Sequence, residues 1–130
     1  MTLERRRAEL ALLARIVPGL RYGPELDWII APAVPLPPGW NKTLVDVLFY
    51  FPGGYPETCF DNFYVERGLT LVGGANPGNF AAEGRSCDGK TWDMFSWHHE
   101  EGWRPKPRVE DGSNILDWWR GIQRRLSEAN

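Results

Sequence analysis

The sequence predicts an α+β domain in which a helix at each end of the chain encloses a run of antiparallel strands. Three observations point there. Leu10, Leu13, Val17 and Leu20 recur at three- and four-residue spacing, which is one face of a helix. Runs rich in β-branched and aromatic residues follow, broken by glycine and proline, the mark of short strands joined by turns. The chain closes on a second, broader helical stripe. Helices covering one face of a meander of about four strands fit this order.

Each element has a local warrant. Thr2 is placed to cap the first helix, Glu4 and Glu9 suit its positive end, and Pro18-Gly19 stop it. "ELDWIIAPAVPLPPGW", residues 25–40, reads as a short strand around Trp28 to Ala31 that runs into Pro32, Pro35, Pro37 and Pro38. Proline has no amide proton for a central ladder, so this segment belongs at an edge or on the surface. "TLVDVLFYFP", 43–52, is the clearest strand and is stopped by "FPGGYP". "CFDNFYV", 59–65, and "LTLVG", 69–73, are two more, separated by the turn "ERG". From Gly73 to about Lys90 there is no periodicity, and the glycines at 73, 74, 78, 84 and 89 indicate a long shaped loop, of the kind that is functional or disordered. Ser113 or Asn114 caps the last helix, whose stripe is Ile115, Leu116, Trp118, Trp119, Ile122 and Leu126, with Arg120, Arg124 and Arg125 toward its negative end.

Composition narrows the function. A chain of 130 residues suits one domain, residues 1–130, and 42% apolar with 25% charged residues is globular. Fifteen basic residues against seventeen acidic ones leave a net charge of −2, too little excess for a phosphate-tracking surface, so no nucleic acid is expected. Glu9 and Arg15 interrupt the N-terminal apolar run, so no export signal is expected there, and no run approaches the ~18 apolar residues of a membrane span. A cytoplasmic protein with Cys59 and Cys87 as free thiols is expected. The two cysteines, His98 and His99 show no zinc spacing, and neither metal nor cofactor is expected.

Short motifs then occur in a telling order. "FPGGYPET" carries Tyr55 and Pro56 just after a strand; "NPGNFAAEGRSC" carries Asn76, Pro77, Asn79, Gly84 and Cys87; "GWRPKPRVED" carries Trp103 and Pro105 before the last helix. This order resembles the ubiquitin-conjugating enzymes, over roughly residues 2–126, and "GKTWDMFSWHHEEGWRP" resembles their bacterial branch called prokaryotic E2 family E. The resemblance implies a UBC-like fold with a long active-site loop, and a transferase that takes a ubiquitin-like protein from an activating enzyme as a thioester and passes it to an amine or hydroxyl. Asparagine stands where the family has histidine before the cysteine, a glycine is inserted before Asn79, and Thr58 and Cys59 replace the prolines that follow the YP pair.

By that resemblance Cys87 is the acceptor thiol, a residue type that both attacks and leaves readily. Asn79 is the side-chain donor to the oxyanion, with Asn76 the alternative and the amides near Gly84 and Gly89 as further donors. His98 or His99 takes the proton of the incoming amine. Tyr55, Pro56 and Trp103 mark the binding side, and Arg5 and Arg6 the surface that receives the activating enzyme. Asp88 raises the thiol pKa by repulsion, which favours a thiol activated on docking. Plainer readings stand beside these: Cys59 as core, Asn79 as a turn residue, His99 packed on Trp97 or Trp103. Two other functions compete, a scaffold that binds a ubiquitin-like protein or an activating enzyme without chemistry, and a cysteine hydrolase built on Cys87 and His98.

Overall fold

The computed structural model describes residues 3–100 and 102–130; the cap expected at Thr2 lies outside them. Helix α1 spans Leu3–Ala14 and α2 spans Ile115–Leu126. Between them run β1 (Arg21–Tyr22), β2 (Trp28–Pro35), β3 (Leu44–Tyr50), β4 (Asp61–Glu66), β5 (Phe80–Cys87) and β6 (Lys90–His98), then a 3-10 turn at Val109–Asp111. The strands make one antiparallel sheet in the order β1-β2-β3-β4-β6-β5. The α+β class and the helix at each end are as the sequence predicts.

Side chains alternate across the sheet with a period of two. Ile29 and Ala31 of β2, Val45, Val47 and Phe49 of β3, Phe63 and Val65 of β4 and Phe95 of β6 join Leu10, Leu13, Ile115, Trp118, Trp119, Ile122 and Leu126 of the helices in one large core. The intervening residues Ile30, Leu48, Tyr64 and Trp92, with Trp28, Tyr50, Cys87 and Met94 packed on them, form a second, smaller cluster on the other face. Among the described residues no helix contributes to that cluster.

The two helices are tied together at Glu9, which is fully buried. Its carboxylate accepts hydrogen bonds from Arg5 Nε at 2.8 Å, from the Ile115 backbone amide at 2.7 Å and from the Tyr55 hydroxyl. A buried carboxylate is costly unless donors surround it; here they come from α1, α2 and the turn after β3. Burial and the adjacent Glu9 carboxylate drive the Tyr55 hydroxyl far above the ordinary phenol range. The α2 cap is Asn114, whose side chain accepts from the Leu116 amide at 2.8 Å while Asp117 accepts from the Asn114 amide at 2.9 Å, a capping box. Ser113 instead accepts from the Arg104 amide.

The sheet is larger than expected, six strands in place of about four. β2 continues through Pro32 to Pro35, with a register shift between Ala31 and Val34; β1 pairs only Ile29 and Ile30, so the prolines lie where that edge needs no donor. The expected strand 69–73 is reduced to a bridge between Trp40 and Leu71 and is fastened by Asn41 to Gly68 and Thr70. The expected long loop 73–90 is mostly the β5 strand and a tight hairpin. Asp88 (φ 50°) and Gly89 (φ 75°) form a two-residue turn closed by the Cys87–Lys90 pair, as the Asp-Gly dipeptide favours.

β5 carries a bulge. Ala81 lies opposite Met94 and Arg85 opposite Trp92, so β5 has two surplus residues, and the amides of Glu83 and Gly84 lose their ladder partners. The Asp93 carboxylate accepts both, at 3.0 and 2.9 Å, and is held in turn by Arg67 Nε and Nη2 at 3.0 and 2.9 Å. Arg67 and these amides hold the Asp93 carboxyl below the ordinary carboxylate range despite its burial. A group with a depressed folded-state pKa contributes stability that is present above its unfolded pKa and lost as pH falls through the folded value. Asp93→Asn is therefore expected to destabilise the protein by about 1–3 kcal/mol at pH 7, with the difference from wild type shrinking below pH ~4. Chemical unfolding of both proteins across pH 2–7 measures this, and an undiminished difference at the acid end would refute it.

Candidate functional site

The β5–β6 hairpin does not lie flat. Register pairs Arg85 with Trp92 and Cys87 with Lys90, which turns the side chains of Arg85 and Cys87 to the same face as Trp92, the helix-free one. The tip then reaches across β4 and β3. Arg85 stacks over the rings of Tyr64 and Tyr50, at 4.7 and 5.1 Å from the centroids. Lys90 pairs with Asp46 of β3 at 2.9 Å and Glu66 of β4 at 2.8 Å. Asp88 at the turn pairs with Arg21 of β1 at 2.8 Å, although β1 and β5 are the two ends of the sheet.

Cys87 is half-buried in this arrangement. Its carbonyl accepts from Trp92 Nε1 at 3.0 Å, and its side chain packs on the Ile30, Leu48, Tyr64 and Trp92 cluster. Burial pushes the thiol pKa up, the nearby Tyr50 hydroxyl opposes this, the carboxylates of Asp88 and Asp27 reinforce it, and Arg85 opposes it. The effect expected of Asp88 is present, but burial is the larger cause. Chemically this is a neutral thiol on an apolar patch, with the Arg85 guanidinium over the neighbouring Tyr64 and Tyr50 rings.

The residues read as its partners are elsewhere. The Asn79 carbonyl accepts from the Ser96 amide at 2.7 Å, six positions along β6 from the Lys90 that faces Cys87, which is ~20 Å of strand. Asn79 has φ 67° and its side chain accepts from Arg125 Nε at 3.1 Å. Arg125, buried in α2, also donates to the carbonyls of Gly78, Glu128 and Asn130, so this asparagine secures the start of β5 to the C-terminus. Asn76 is exposed in the irregular stretch before β5. The Gly84 amide, read as a donor for an oxyanion, is already taken by Asp93.

His98 ends β6, eight positions from Lys90, and forms an exposed pair with Asp61 of β4. His99 packs edge-on against Trp103 at 5.3 Å. Neither histidine is on the hairpin tip, and a Cys87–His98 dyad is not formed. Cys59 lies near that other end, packed on the large core, where burial pushes its thiol up to about 11. Among the described residues no group of histidine, cysteine and carboxylate side chains could hold a metal ion, and no helix is long and apolar enough to cross a membrane.

The residues read as the binding side form an interior cluster with one open margin. Tyr55 is fully buried and precedes Pro56 through a cis peptide bond; Trp103 Nε1 donates to the Pro56 carbonyl at 2.6 Å, with its ring 6.0 Å from that of Tyr55. Arg5 Nη1 donates to the Lys106 carbonyl, and Arg6 donates to the Leu26 carbonyl at 2.7 Å while stacking on Phe51. Both arginines are turned toward their own chain, whereas Arg7 is exposed. A shallow groove of about 290 Å³ opens beside them, lined by Arg5, Pro56, Glu57, Pro105, Lys106 and Pro107.

Two residues at the thiol, Tyr50 and Arg85, were not singled out by the motifs. The available signal was alternation: Leu48 and Tyr50 fall on the opposite face to Val47 and Phe49, and the Asp88-Gly89 pair marks a hairpin that brings β5 over that face.

Comparison with known proteins agrees with the motifs. The model of prokaryotic E2 family E matches residues 22–128, and the chain belongs to that family. No curated protein and no solved structure matches it.

The distance between Asn79 and the thiol generates a direct expectation. Asn79→Ala removes the bond from Arg125 and leaves at positive φ a methyl group that cannot bond locally, and should lower stability by about 1–2 kcal/mol. The alkylation rate of Cys87 should change less than about twofold, since no contact is lost at the sulfur. Thermal melting and quantitative peptide mapping read the two effects; a tenfold loss of thiol reactivity would restore Asn79 to the site.

Proposed function

From membership in prokaryotic E2 family E we infer that this protein is a carrier for a ubiquitin-like protein, accepting its C-terminus from an activating enzyme as a thioester on Cys87 and passing it to an amine or hydroxyl. The observation that carries the reading is the presentation of Cys87. A half-buried thiol at the turn of a hairpin, on a face without helices, is open to a large partner while its backbone is held by Trp92 and its side chain rests on the outer apolar cluster. Attack by the sulfur on the activated carboxyl forms the thioester and releases the activating group; a nucleophilic nitrogen or oxygen then takes the acyl group and the sulfur leaves.

The remoteness of His98 and Asn79 shapes this reading. Proton removal from an incoming amine is left to the acceptor, the partner or solvent, and the hydrolase alternative loses its base. The groove lined by Arg5, Pro56, Pro105 and Lys106 is the face we assign to the activating enzyme, because it is built from the YP and tryptophan-proline segments on which the resemblance rests.

Intact-mass spectrometry after incubation with an activating enzyme, ATP and a ubiquitin-like protein tests the assignment. Wild type and Cys59→Ala should carry an adduct that reductant removes, Cys87→Ala should carry none, and Cys87→Ser should carry a reductant-resistant ester or none. An adduct that survives in Cys87→Ala moves the chemistry to another nucleophile, and stable binding with no adduct on wild type supports the scaffold reading.

A further inference from the structure

The hairpin that presents the proposed acceptor thiol also presents an amine beside it. Of the chain's three lysines, Lys42, Lys90 and Lys106, Lys90 is the Cα partner of Cys87, the pair that closes the Asp88-Gly89 turn. Directly opposite residues of an antiparallel pair project from the same face with Cβ atoms about 4.5–5.5 Å apart, so the four-carbon stem of Lys90 starts beside the thiol. Its ammonium is held by two carboxylates from other strands, Asp46 of β3 at 2.9 Å and Glu66 of β4 at 2.8 Å. We propose that Lys90 is an internal acceptor of the acyl group carried by Cys87, a self-modification site, and that Asp46 and Glu66 restrain the transfer by holding the ammonium between them. This rests on Cys87 as the thiol that is acylated.

The step needs no reagent beyond the thioester. Lys90 gives one proton to solvent, which frees its nitrogen lone pair. The nitrogen attacks the thioester carbonyl carbon and the C–N bond forms; the C–S bond breaks and its electron pair passes to the Cys87 sulfur, which takes up the second proton shed by the nitrogen. The products are an amide on Lys90 and the free Cys87 thiol. Carrying both groups on one hairpin makes the reaction intramolecular, which is where its rate comes from. The amide resists the reductant and hydroxylamine that discharge a thioester, so the two adducts are chemically distinct.

The carboxylates oppose the first of these events. Hydrogen bonds to Glu66 and Asp46 hold the Lys90 ammonium above the ordinary lysine range, and a protonated amine has no electron pair to give. The sheet fixes both restraints in place. Asp46 also accepts from the Ala33 amide at 2.8 Å, where β2 shifts register against β3, and Glu66 lies opposite Trp92, two residues along β6 from Lys90. The Lys90 side chain is still 40% exposed, and ion pairs of this kind are weak. The clamp therefore opens reversibly: the thioester outlives loading, and the amide forms slowly behind it.

The test uses the full chain and S-phenyl thioacetate, a small thioester that acylates thiols without an activating enzyme. After hydroxylamine has removed thioesters, peptide mapping scores the acetyl amide at each lysine. In wild type, Lys90 should be acetylated about tenfold faster than Lys42 and Lys106. Cys87→Ala should lower Lys90 to their rate, and so should alkylation of wild-type Cys87 with iodoacetamide beforehand, which needs no substitution. Glu66→Gln should raise the Lys90 rate about threefold or more, because the amine loses one of the charges that keep it protonated. Acetylation of Lys90 no faster than that of Lys42 and Lys106, or as fast with Cys87 removed or blocked, overturns the proposal; an unchanged rate in Glu66→Gln overturns the restraint. These results stand whatever the outcome of charging: if Lys90 is acetylated through Cys87 while wild type takes no ubiquitin-like protein, only the carrier reading falls. Where wild type does charge, a reductant-resistant adduct on Lys90 should follow the reductant-sensitive one on longer incubation and be absent from Lys90→Arg.

Discussion

Four hydrogen bonds converge on the carboxylate of Asp93, and the position of the hairpin tip depends on them. β5 is an edge strand with two surplus residues, and edge strands with weak alternation slip easily. A slip of one residue would turn Cys87 to the other face. The carboxylate prevents this by serving as the missing ladder acceptor for Glu83 and Gly84, and Arg67 prevents the carboxylate from moving. Gly84 fits this construction because its φ is +70° and a Cβ there would stand 3.0 Å from an Arg67 nitrogen. The bulge bends β5, and the bend aims Arg85 and Cys87 at the outer face.

What keeps the tip on that face is apolar packing more than charge. The ion pairs of Asp88 and Lys90 are partly exposed, and such pairs are worth ~0–1 kcal/mol each. Trp92 is fully buried, and burying a ring of that size contributes on the order of 2–3 kcal/mol, with its N–H satisfied by the Cys87 carbonyl. The ion pairs therefore set direction, and the tryptophan supplies the hold. The opposite face has a different task. Glu9, Tyr55 and Trp103 join the helices to the turn after β3, and Arg125 with Asn79 joins α2 to the start of β5, so several motif residues serve as fastenings and not as reacting groups.

Much of this could be read from the sequence, and the parts that could not have physical reasons. Both helices and strands β3 and β4 were legible because their apolar spacing is dictated by the large core; the Asn114 cap was legible from side-chain chemistry. β5 was not, because "FAAEGRSC" is an edge strand with one half-exposed face, so nothing imposes alternation, and its bulge breaks what register there is. The order of Asn79, Cys87 and His98 was legible and their distance was not: proximity in sequence suggested a loop folding back, whereas two extended strands carry their ends ~20 Å or more apart. Tyr50 was hidden for a related reason, since its neighbour at the site comes from a strand that the sheet order places three strands away and only the bent tip brings back.

The thiol's setting suits a carrier better than a hydrolase. Burial and two nearby carboxylates keep Cys87 neutral at rest, which lowers the thiolate fraction and with it the rate of oxidation. A thiol of raised pKa is a stronger nucleophile once ionised and a poorer leaving group. On the carrier reading, that bias favours loading over unloading and would let a thioester persist between partners until an acceptor arrives.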